Sequence, residues 1–140
     1  MTVYKYHTLE RSNYFSVENK EAFAKEMEMA GIKWWPGNRP DNAYKVAVAA
    51  DPEKGGSFPV LVNNPDTNEE EAFDIRTAIR KHLSWNDTAV LVGIMSQGVS
   101  YIDGWACIIT RKLEPVNMTL SQWVQNTLNR MDIKATEFIN

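Results

Sequence analysis

Histidine, cysteine and carboxylate side chains carry much of enzymatic chemistry, and this chain holds few of the first two: His7, His82 and Cys107. Such a set cannot furnish the Cys and His ligands of a structural zinc site, and neither a metal nor another cofactor is expected. His82 follows Arg80 and Lys81 at the expected end of a helix, where the helix dipole accounts for it. Cys107 lies in an apolar run beside Trp105, Ala106 and Ile108, whereas a nucleophilic thiolate needs an electropositive, partly exposed setting. It is expected to be a small buried hydrophobe. Asp103 differs, because a carboxylate between Ile102 and Gly104 in an apolar strand is costly unless it is paired or sits at a bulge reaching solvent. A pocket joining Asp103, Tyr101 and His7 is therefore one route to a ligand-binding or enzymatic function. No GxSxG, GxxxxGK, GxGxxG or HExxH motif is present. Gly93, Gly98 and Gly104 fall along a hairpin, not on a strand-to-helix loop, so a phosphate cradle is not expected; a turn at Gly98 and close approach or a bulge at the other two explain them.

Two other groups of residues suit binding better than catalysis. Trp34 and Trp35 are adjacent, so in a strand they point to opposite faces, one packing under a helix and the other reaching solvent. With Arg39 close by, that exposed ring could anchor a protein partner, since Trp and Arg are enriched at interface hot spots. The second group is acidic: Asp66, Glu69, Glu70, Glu71 and Asp74 could meet a basic partner surface. Much of that acidity is expected to serve a helix N-terminus instead. Net charge is −3 and the Lys and Arg residues are scattered, which argues against direct nucleic-acid binding, since phosphate contacts need a local basic surface.

Elements of secondary structure must position these groups, and hydrophobic periodicity predicts them. Residues 88 to 110 read as two long apolar strands, 88–95 and 99–110, joined by a turn at Ser96-Gln97-Gly98. Apolar residues occupy both faces of the first strand, Val90, Val92 and Ile94 against Ala89, Leu91 and Met95, which predicts a strand covered on both sides. A helix is expected over 19–30, burying Phe23, Met27 and Ala30 and stopped by Gly31. A second is expected over 68–84, with Thr67 and Glu70 as a capping box and Ala72, Ile75, Ile79 and Leu83 on its inner face. A third is expected over 120–131, capped by Thr119 and Gln122 and burying Leu120, Trp123, Val124, Leu128 and Met131. Short strands are expected at 3–9, 32–35, 44–50 and 58–62, the last two as a hairpin, and at the tail 133–139.

These elements predict a single α+β domain over residues 1–140: an antiparallel sheet with the long hairpin at its centre, packed by about three helices. A hydrophobic content of 44% and a charged content of 24% fit a globular core at this length. The opening MTVYKYHTLERSNYF holds no hydrophobic signal segment, no apolar run reaches membrane-spanning length, and one cysteine suits a reducing compartment, so a cytoplasmic setting is expected.

Arg11-Ser12-Asn13-Tyr14-Phe15-Ser16-Val17 followed by a helix with Phe23, then Tyr101-Ile102-Asp103-Gly104-Trp105-Ala106 and a closing helix, resembles a family of small uncharacterised proteins encoded by phages, plasmids and integrated elements. That family is usually more acidic around the hairpin turn than Ser96-Gln97-Gly98. The resemblance implies an accessory role in a mobile element, with interference with a bacterial defence system, of anti-CRISPR or antirestriction type, as one version. It carries over no catalytic residue. The expected function is that of a non-catalytic protein that occludes a host protein, with a homodimer as a further expectation.

Overall fold

The computed structural model describes residues 6–97 and 101–132, and the statements below concern these. Three helices and a mostly antiparallel sheet make this an α+β fold, as the sequence implies. The long hairpin is its centre. Strand β7 (Ala89–Gln97) pairs residue for residue with β8 (Tyr101–Ile109), and its other edge takes β1 (Tyr6–Ser12). The chain then crosses to a new neighbour. Asn13 eases that step, since its Oδ1 accepts from the Val90 N–H at 2.8 Å and its Nδ2 donates to the Thr88 carbonyl at 3.2 Å. Beyond it β2 (Phe15–Ser16) pairs with β4 (Lys45–Ala49), whose far edge takes β3 (Lys33–Pro36); β9 (Val116–Thr119) closes the opposite edge on β8.

Alternation along these strands sends one set of side chains toward two helices. Val46, Val48, Ala89, Leu91, Cys107 and Ile109 are buried there. Above them α1 (Lys20–Met29) inserts Phe23 and Met27, and α2 (Ile75–His82) inserts Ile75, Ala78 and Ile79. Helix α1 starts where Asn19 accepts from the Ala22 N–H at 3.0 Å, and Gly31 follows its end at φ +72°, as its spacing predicts. A short 3₁₀ turn at Pro52–Lys54 then leads into Gly56, where φ is +76° and a Cβ would run into the Thr8 carbonyl oxygen.

Several expectations are corrected. Strand 44–50 forms no hairpin with 58–62, because β4 already has a neighbour on each edge. The later segment is shorter, and β5 (Leu61–Asn63) pairs with β6 (Glu70–Ala72) in a separate two-stranded ribbon. The helix expected from 68 therefore begins only after Asp74, whose side chain accepts from the Arg76 N–H at 2.9 Å. Turn chemistry outcompetes the Thr67 capping box: Asn64 Oδ1 accepts from the Asp66 N–H, its carbonyl accepts from the Asn68 N–H, and Asn68 takes the left-handed conformation at φ 57°. Ser96 and Gln97 stay in strand, opposite Ile102 and Tyr101, so the turn expected at Ser96-Gln97-Gly98 does not include them, and Gly98 lies outside the described residues. The ladder runs through Gly93, Asp103 and Gly104 without a bulge. Gly93 instead makes room for the Trp105 indole, which lies where its Cβ would be. The first strand begins at Tyr6 in this description and continues past Leu9 to Ser12; residues 3–5 and the tail 133–139 lie outside it.

The sheet's second face contradicts the expectation of cover on both sides. Val92 is 40% exposed and Ile94 57%, and Leu9, Ile102, Ile108 and Val116 on neighbouring strands are also exposed. The element crossing this face is α3 (Leu120–Arg130), which has the capping box that its sequence predicts. Yet none of its residues is buried, against the expected burial of Leu120, Trp123, Val124, Leu128 and Met131. The helices of the opposite face have already used the sheet's well-packed side.

Helices α1 and α2 are joined by a charged latch. Glu26 accepts from Lys81 Nζ at 2.7 Å and lies 2.9 Å from His82 Nε2, while Phe23 meets the His82 ring edge to face. Burial opposes ionisation of Glu26, but hydrogen bonds and charge from Lys81 and His82 outweigh it and hold its pKa below the ordinary carboxylate value. A lowered folded value means that this stabilisation is present above the unfolded value and is lost as pH falls through the folded one. Thermal melts from pH 7 to about pH 3 should therefore show Glu26→Gln losing less stability than the parent across the acid limb. Parallel curves would mean that the latch contributes nothing.

Candidate functional site

The ribbon of β5 and β6 carries the acidic group out from the body. Its root is held on the helix side of the sheet: the Phe58 N–H donates to Glu10 Oε2 at 2.7 Å, the Phe73 N–H donates to the Val60 carbonyl at 2.8 Å, and Phe58 and Phe73 pack on the core. Asp66, Glu69, Glu70 and Glu71 are all exposed, and among the described residues none of the four forms an ion pair. Glu71 accepts from Asn64 Nδ2 at 2.8 Å across the ribbon. Their charge has no helix N-terminus to serve, because α2 starts beyond them. Val60, 73% exposed, and Leu61, 54% exposed, stand at the same ribbon. Being adjacent in the chain, the two expose apolar surface on opposite faces of the ribbon root, beside the carboxylates.

Asp74 has a different role from its acidic neighbours. Besides capping α2 it grips Arg76 through two contacts of 3.2 Å. Burial works against its charge, yet the hydrogen bonds from Arg76 lower its pKa overall. Arg76 also donates to Asn117 Oδ1 at 3.2 Å, tying the helix to β9.

Between this helix start and the sheet lies a cleft of about 440 Å³ lined by Glu10, Arg76, Trp105, Cys107 and Asn117 among others. Its polar groups are committed: Glu10 to the Phe58 amide, Arg76 to Asp74 and Asn117. Burial pushes the Cys107 thiol up, the opposite of what a nucleophile needs. The pocket proposed from Asp103, Tyr101 and His7 does not assemble from its charged members. Asp103 pairs with Met95 and so shares a face with Thr8, while His7 pairs with Ser96 and shares the other face with Ile102. Asp103 instead accepts from the Gly104 N–H at 2.8 Å. Tyr101 stands in the strand opposite Gln97. Among the described residues no group of His, Cys, Asp and Glu could hold a metal ion.

The two tryptophans part company. Trp34 shares the buried face with Val48, meets Phe23 edge to face and donates to Glu28 at 3.4 Å. Trp35 projects from the open face, 46% exposed, beside Leu9, Lys33 and Ile94 in a groove of about 600 Å³. Arg39 is exposed in the following loop, where its N–H donates to Asn42 at 2.8 Å. Trp35 and the acidic ribbon thus lie on opposite sides of the sheet. Sequence reasoning passed over Val60 and Leu61, whose exposure follows from the ribbon leaving the sheet, and over the open face as a whole. No known family model, curated protein or solved structure matches this chain. No described helix is long and apolar enough to cross a membrane.

Helix capping and surface charge separate cleanly in this arrangement. Replacing Glu69, Glu70 and Glu71 together by Gln should leave the thermal midpoint within about 1 °C, since exposed carboxylates off the helix contribute little. Asp74→Ala should cost about 1 kcal/mol, a drop of several degrees, through loss of the cap. Calorimetry on the two variants checks both, and equal losses would refute the ribbon.

Proposed function

We propose that this chain is a non-catalytic binding protein that occludes a basic surface of a host protein, docking through the acidic ribbon. The observation that carries this reading is that Asp66, Glu69, Glu70 and Glu71 are exposed and, among the described residues, without ion-pair partners, on an element where their charge serves no helix N-terminus. Carboxylates so placed raise the encounter rate with a basic surface, and Val60 and Leu61 supply apolar area that becomes desolvated on docking. An accessory role in a mobile element, directed at a component of a bacterial defence system, is the version that the sequence resemblance favours. The rival reading, a ligand pocket at Asp103, Tyr101 and His7, has the register against it.

Affinity capture from bacterial lysate, followed by kinetics on the captured protein, tests the proposal. The parent chain should retain a single host protein in stoichiometric amount at low salt. Asp66→Asn combined with Glu69→Gln, Glu70→Gln and Glu71→Gln should slow association roughly tenfold and flatten its salt dependence. Val60→Ser with Leu61→Ser should chiefly speed dissociation, by about tenfold or more. Folded variants that bind as the parent does would rule out the ribbon as the interface.

A further inference from the structure

Helix α3 is anomalous for a surface helix. From Leu120 to Asn129 it has no charged side chain, although a helix facing water ordinarily carries a charged face. It spans 11 residues, too few to be stable alone in water, and none of them is buried, with Leu120 51% and Trp123 53% exposed. Leu120 passes over Gly104, and an open cleft of about 360 Å³ separates the helix from Ile94, Ala106 and Met118. Ten successive residues without charge before Arg130, none of them buried, have no second layer packed over them among the described residues.

The same face supplies a place for one. Beside α3, over β1, β3 and β4, lies the groove of about 600 Å³ lined by Leu9, Trp35, Ala49 and Ile94, with Arg11 and Lys33 among its other residues. Both clefts are lined by Gly93 and Ile94, so ridge and groove meet along β7. We propose that two copies of this chain associate face to face about a two-fold axis running along β7. Such an axis carries the α3 half of one copy over the groove half of the other, so each α3 lies between its own β8–β9 edge and the partner's groove. Ridge and groove on one surface are the self-complementarity that an isologous contact requires. The exposed apolar side chains of this face and of α3 present on the order of 900 Å², beyond the largest patch of an ordinary monomer and close to one partner's share of a standard interface. A stretch without charge, 120–129, is also the composition expected at an interface core. The assembly goes beyond the docking reading above and leaves the acidic ribbon free, because the ribbon is rooted on the other side of the sheet. Each dimer would present two ribbons.

Sedimentation of the untagged full chain between about 5 and about 200 µM reads the proposal directly. The mass should rise toward twice 16.0 kDa. Ile94→Lys and, separately, Trp123→Ser should weaken self-association at least about 100-fold with circular dichroism unchanged, both side chains being exposed in the single chain. A second measurement does not depend on variants: amide exchange over residues 120–130 of the parent should slow about tenfold or more as dimer forms, while β7 amides barely change. A chain that stays monomeric at the highest concentration overturns the proposal, as does a dimer that survives both replacements in folded protein or leaves α3 exchange unaltered. None of these failures touches the ribbon reading, which is tested on other residues.

Discussion

Register along β1, β7 and β8 decides which side chains look toward the helices, and the rest of the molecule follows from it. With a period of two, a slip of one residue would move Leu91, Cys107 and Ile109 out of the core and bring Val92 and Ile108 in. Asn13 pins this register, since its side chain donates to the Thr88 carbonyl and accepts from the Val90 N–H of the neighbouring strand. The glycine at position 93 pins it again by accepting the Trp105 ring across the pair. The large buried side chains then gather on one face, because α1 and α2 both lie there, and Ala47 is the small buried residue of β4 on the other.

That one-sidedness shapes everything else on the surface. The chain has two helices for the inner face, and each is tied in by specific polar contacts: α1 to α2 through Glu26, Lys81 and His82, and α2 to β9 through Arg76 and Asn117. Among the described residues the outer face receives only α3, a short helix without buried residues. Apolar strands without cover cost solvation free energy in proportion to their area, and that cost is the driving force the proposed dimer would use. The acidic ribbon escapes this constraint. It hangs from Phe58 and Phe73 and has no core of its own, so its carboxylates stay exposed.

Much of the fold was legible because local chemistry and periodicity agreed. Phe23 and Met27 four apart, with Asn19 before them and Gly31 after, specify α1 without reference to anything distant. Thr119 and Gln122 cap α3 as written. The start of α2 was misread because two capping signals compete, and Asn64, Asn68 and the pairing of β6 with β5 win over Thr67. The candidate site was legible in kind but not in place. Adjacent tryptophans on a strand must face opposite ways, yet which one reaches water depends on where the helices lie.

By itself the sequence determined the fold class, the central hairpin, the first helix to within a residue at each end (19–30 expected against Lys20–Met29), and the small number of histidines and cysteines, because these rest on residue type and short-range periodicity. The third dimension alone decided which sheet face stays open, that Asp103 and His7 point apart, and that Glu69, Glu70 and Glu71 serve no helix. Both faces of β7 are apolar in the sequence, so periodicity could not say which would be covered. That choice was made by helices whose positions depend on contacts far apart along the chain, and side-chain type carries no record of them.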